Sequence, residues 1–120
     1  MADLRISSVT VGISVSNLAE SRAWYEQLLQ KPGPDIEPQE GVVEYRVGDT
    51  WLQLFEGVVN WNGGIFRIGV PEIHEERSRL VKLGMMPTEL EEVPGIVSYC
   101  EFCDPDGNRL GLYPVLDRTT

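Results

Sequence analysis

The chain has 120 residues, 42% of them hydrophobic and 24% charged, the composition of one soluble domain large enough to bury a core. Ten Lys and Arg against 19 Asp and Glu leave a formal net charge of -9, which repels phosphate backbones, disfavours nucleic acid and anionic membranes as partners, and suits a cationic ligand. No stretch approaches the roughly 18 consecutive apolar residues of a membrane span, and the start MADLRISSVTV lacks the cationic and apolar regions of a secretory signal, so a cytoplasmic location is expected.

Val9, Val11, Ile13 and Val15 alternate with Thr10, Gly12 and Ser14, the period-two pattern of a strand with one apolar face. A helix follows in SNLAESRAWYEQLLQKPG. Asn17 can cap it, Glu20 falls where a capping box needs an acid, and Pro32-Gly33 is expected to end it. Leu18, Ser21, Tyr25, Leu28 and Leu29 recur at helical spacing, which makes Tyr25 a core residue rather than a catalytic one. The segment PDIEPQE, punctuated by prolines, reads as a short or edge strand and a mobile flap. VVEYRV and TWLQLFE flank Gly48-Asp49 and read as an antiparallel hairpin. Val43, Tyr45, Val47, Leu52 and Leu54 share one parity; Glu44, Arg46, Trp51, Gln53 and Phe55 share the other.

The polar connection GVVNWNGG carries Trp61, which suits either an exposed anchor or loop packing. The strand IFRIGV comes next, then a helix in PEIHEERSRLVKLG, with Pro71 near its start and Gly84 at its end. His74 is the only histidine and reads as a solvated helix residue. MPTELEEVPG, the run IVSYCEFC, the turn DPDGN and the strand RLGLYPV complete the chain. Cys100 and Cys103 have C-x-x-C spacing, yet on a strand positions three apart face opposite ways, so they read as structural, reduced cysteines. Strand, helix and three strands are thus written twice. Val15 aligns with Val70, Leu52 with Leu110 and Leu54 with Leu112, and a half of that size cannot bury both faces of its own sheet.

This doubled unit, with WYEQLL in its first helix and DPDGNRLGLY at its close, resembles the vicinal oxygen chelate superfamily of glyoxalase, bleomycin-resistance and extradiol-dioxygenase-like proteins. The resemblance implies an α+β fold, a single domain over residues 1–120. In it, two tandem βαβββ units (about 9–57 and 65–115) form curved mixed sheets around a cavity, with the helices outside. It further implies metal ligands on the first and last strands of each unit, and these positions fall here on Thr10, Gln53, Ile65 and Gly111. Ile65 and Gly111 have no side-chain donor, Thr10 is a poor neutral one, and Gln53 alone cannot hold a transition metal, so neither a metal nor another cofactor is expected.

In step with those positions are Gly12, Ser14, Trp51, Phe55, Arg67, Tyr99, Glu101 and Tyr113, with Glu44 and Arg46 on a strand of less secure register. The aromatics either stack on a ligand or fill the interior or a dimer seam. The candidate ligand-binding residues are therefore Arg46, Trp51, Gln53, Phe55, Arg67, Tyr99, Glu101, Gly111 and Tyr113, with Gly111 leaving room against the cavity floor.

Three functions are compatible with this set. The first is a metal-free binding protein, similar to the bleomycin-resistance members, that sequesters an aromatic or cationic compound in the cavity of a homodimer. The second is an enzyme with metal-independent chemistry, in which Glu44 or Glu101 is the catalytic acid or base and Arg46 or Arg67 stabilises an anion. The third is a non-catalytic interaction or regulatory module.

Overall fold

A computed structural model of the chain describes residues 5–59, 63–94 and 97–115, so Trp61 lies outside the described residues. The chain divides into two compact units, Met1–Asn60 and Trp61–Thr120. Each is one βαβββ unit with a four-stranded mixed sheet and a helix, which is the α+β architecture of the doubled sequence pattern. No helix among the described residues is long and apolar enough to cross a membrane.

The first unit runs β1 (Val9–Val15), α1 (Leu18–Leu29), β2 (Ile36–Gln39), β3 (Val42–Val47) and β4 (Thr50–Glu56). Its sheet order is β1-β4-β3-β2, with β1 parallel to β4 and the other pairs antiparallel. The parallel pair is possible because α1 carries the chain from one end of the sheet back to the other. Asn17 caps the helix as expected, its Oδ1 accepting from the Glu20 N–H at 3.0 Å. The helix stops earlier than Pro32-Gly33. Gln30 enters the left-handed region at φ 56°, and the Lys31 N–H closes back on the Glu26 carbonyl at 3.0 Å. That is a Schellman closure with glutamine where glycine is usual.

Ser21, Tyr25 and Leu28 are the buried face of α1, and Val15, Val43, Tyr45, Leu52 and Leu54 are the buried residues of the sheet. Tyr25 is therefore a core residue. Tyr45 is fully buried but not unsatisfied, because its phenol donates to the Glu26 carboxylate at 2.7 Å. The proline-punctuated segment forms the edge strand β2, all four of whose residues are exposed. Asp35 ties its base: the carboxylate takes Lys31 Nζ at 2.7 Å and the Arg46 N–H at 2.8 Å. Those two donors, Lys31 foremost, hold the Asp35 carboxyl below the usual range.

The second unit repeats the order as β5 (Ile65–Val70), α2 (Ile73–Lys82), β6 (Glu91–Val93), β7 (Val97–Cys103) and β8 (Arg109–Pro114), in sheet order β5-β8-β7-β6. Val70, Ile73, Leu80, Met85, Cys100, Phe102, Leu110 and Leu112 form its core. His74 lies on the exposed side of α2. Cys100 is buried and Cys103 exposed, both free, so the strand does separate the two sulfurs. Before β8, the buried Asp104 organises DPDGN: one carboxylate oxygen accepts the Asp106 and Asn108 N–H groups at 2.9 and 2.8 Å, the other the Asn108 side-chain amide at 2.9 Å. Gly107 takes the positive φ, 86°, that the turn requires.

Candidate functional site

Each sheet has one face built into its core by the apolar parity and a second face carrying the polar parity. On the first sheet the strand register sets Thr10 beside Trp51, Gly12 beside Gln53 and Ser14 beside Phe55, while Glu44 pairs with Gln53 and Arg46 with Trp51. All eight residues therefore lie on the second face, and the register of β3 is that assumed from the sequence.

Two contacts organise this face. Gln53 Nε2 donates to Glu44 Oε2 at 2.8 Å, orienting one carboxylate oxygen and leaving the other for a further donor. Phe55 leans across Gly12; a Cβ there would stand only 3.2 Å from the ring, so the glycine permits this close approach. Around them lies an open concavity of about 460 Å³ lined by Pro38, Gln39, Val42, Glu44, Gln53 and Phe55. Three of these were missing from the expected site. Val42 was recoverable from parity, since it pairs with Phe55. Pro38 and Gln39 were not, because the register of β2 against β3 shifts between Ile36 and Gln39. Trp51 stands apart from the concavity, with the Arg46 guanidinium 5.8 Å from the centre of its ring.

The second sheet carries the same positions with different contents. Arg67 pairs with Gly111 and Glu101 with Gly111, so Glu101 holds the place in this unit that Glu44 holds in the first. Its carboxylate is fully engaged: Oε2 meets Arg67 at 3.3 Å and Oε1 meets Arg109 at 3.2 Å. Arg109 was not foreseen, although it shares the parity of Gly111 and Tyr113. Arg67 also lies 5.7 Å from the centre of the Tyr99 ring.

Gly111 does not open onto free space. A Cβ built there would meet Arg67 Nη1 at 3.4 Å and the Cys100 carbonyl oxygen at 3.3 Å, so the arginine fills the room the missing side chain leaves. Tyr113 likewise lies over Gly69, where a Cβ would come within 2.9 Å of its ring.

The donor set does not suit a metal ion. Thr10, Gln53, Ile65 and Gly111, the positions the resemblance points to, together offer one hydroxyl and one amide oxygen, too few donors for a transition metal. Among the described residues no group of three or more His, Cys, Asp or Glu side chains converges as a ligand set.

No protein-family model matches the sequence, and no curated protein does. Solved structures do match. A glyoxalase/bleomycin resistance protein from Catenulispora acidiphila superposes with a TM-score of 0.76 at 20% identity, over 91% of this chain and 98% of that one. A fosfomycin resistance protein from Listeria monocytogenes gives 0.70 at 19% identity over 97% of each chain. Lactoylglutathione lyase from Agrobacterium tumefaciens gives 0.70 at 16% identity, over 93% of this chain and 96% of that one. At such identities likeness speaks for backbone architecture and not for chemistry. The chain has the fold of the solved glyoxalase/bleomycin-resistance and fosfomycin-resistance proteins.

Proposed function

We propose that this protein is a small-molecule binding protein of the glyoxalase/bleomycin-resistance type, which works without a resident metal and sequesters an aromatic or cationic compound. The observation that carries this reading is the concavity on the first sheet, where an oriented carboxylate and an aromatic ring line the same space. Its size falls within the roughly 300–1,000 Å³ of small-molecule sites. A homodimer that encloses the site and a cytoplasmic location belong to the same proposal. So does a single functional domain over residues 1–120.

An enzyme of altered mechanism is the second reading, and one observation favours Glu44 over Glu101 as its acid or base. Glu44 keeps a carboxylate oxygen for a substrate proton, whereas Glu101 has both oxygens on arginines.

Equilibrium dialysis of the purified chain against zinc, manganese and nickel, followed by isothermal titration with a panel of planar cations, tests the first reading. Micromolar ligand binding that is indifferent to chelator is the expected result. A stoichiometric ion that survives dialysis, or no binding by any compound, would refute it.

A further inference from the structure

The two sheets carry carboxylates at matched positions but balance them differently. Glu101 is neutralised within its own sheet by Arg67 and Arg109. Glu44 receives only the neutral amide of Gln53, and among the described residues no Lys, Arg or His pairs with it. An amide orients a carboxylate without offsetting its charge. Glu44 is also half-buried, beside Val42 and Phe55, where a missing counter-ion costs more than it would in open water. The place of that counter-ion is the concavity itself.

We infer that the compound held on the first sheet is an organic monocation, a protonated amine or amidine on a flat apolar body, which donates N–H to the free oxygen of Glu44 while its body lies along Phe55. The second sheet is not an equivalent site, because its carboxylate already has two internal cations. This assignment rests on the binding reading above and narrows it. One carboxylate calls for one positive charge; Phe55, set across Gly12, supplies the apolar wall. The chain's net charge of -9 favours the approach of a cation and disfavours an anion. A donating N–H distinguishes this ligand from a quaternary ammonium, which an aromatic face holds without hydrogen bonds.

Isothermal titration of the full chain at neutral pH and low salt, with 2-naphthylmethylamine and its neutral counterpart 2-naphthylmethanol, tests this. The amine is expected to bind at least about tenfold tighter than the alcohol, the scale of a charge-assisted hydrogen bond. Glu44→Gln keeps the side-chain volume and should erase that difference, weakening the amine and sparing the alcohol. Gln53→Lys should act alike by placing an internal cation beside Glu44, as the arginines stand beside Glu101. Glu75→Gln removes a charge on the exposed side of α2 and should leave the amine's affinity within about twofold. Circular dichroism confirms that each variant is folded. An alcohol that binds as tightly as the amine, or an amine that keeps its affinity in folded Glu44→Gln, overturns the inference and leaves the binding reading standing. If neither compound binds the wild-type chain at millimolar concentration, the inference falls, and a planar-cation panel that is equally silent takes the binding reading with it.

Discussion

Arg67 lies over Gly111, its Nη1 3.4 Å from the point where a Cβ would stand, and from there it reaches the Glu101 carboxylate at 3.3 Å. The glycine that interrupts the last strand is thus paired with an arginine from the neighbouring strand, and the room its missing side chain leaves holds part of an ion-pair cluster.

The cluster's value for stability is expected to be small. Arg67, Arg109 and Glu101 have side chains 43%, 56% and 26% exposed, so solvent screens the pairs. A double-mutant cycle of Arg67→Ala and Glu101→Gln, read by urea unfolding, should give a coupling of about 1 kcal/mol or less. A coupling of several kcal/mol would show that the cluster is a principal support of the second sheet.

Tyr45 is a stronger structural element. Its phenol is buried under α1 and donates to Glu26, and burial first, then the hydrogen bond to that carboxylate, raise its pKa well above the ordinary tyrosine range. Tyr45→Phe should cost about 2 kcal/mol near neutral pH, the usual worth of a hydrogen bond to a charged group. The pH dependence has a definite sign. With the folded pKa raised, the contribution is complete below the unfolded value of about 10 and declines as pH rises beyond it, because only the unfolded chain then loses the proton. Unfolding measured across that range should show wild type and variant converging in stability. A gap that widens with alkali would refute the assignment.

Gln30 closes α1 from the left-handed region, where a Cβ is strained. Gln30→Gly should therefore stabilise the chain by about 1 kcal/mol, observable as a melting temperature raised by a few degrees. Gln30→Val should lower it.

The two cysteines should differ sharply toward a thiol reagent such as a maleimide. Cys103 is exposed and is expected to react rapidly in the native chain. Cys100 is buried, and burial pushes its thiol pKa up, so its modification should wait for unfolding. Cys103→Ser should abolish the fast phase alone; a fast phase that survives it would contradict the strand's parity.

How much of this could be read from the sequence depends on the range of the forces involved. The doubled βαβββ order, the cap at Asn17, the DPDGN turn, the core place of Tyr25 and the divergence of Cys100 from Cys103 all follow from periodicity and local turn chemistry. A pleated strand leaves its side chains only two directions, so alternation alone assigns Glu44, Gln53, Phe55, Arg67, Glu101 and Gly111 to their face. What happens within a face is set by rotamers and by neighbours on other strands, which no alternation encodes. Packing between strands sets Arg67 over Gly111 and brings Arg109 to complete the cluster. It likewise set Arg46 against Trp51 and carried the shifted register of β2 to bring Pro38 and Gln39 to the rim of the concavity. The same long-range contacts give two carboxylates at matching places opposite balances of charge: Glu101 lies within reach of two guanidinium groups, and Glu44 has only an amide.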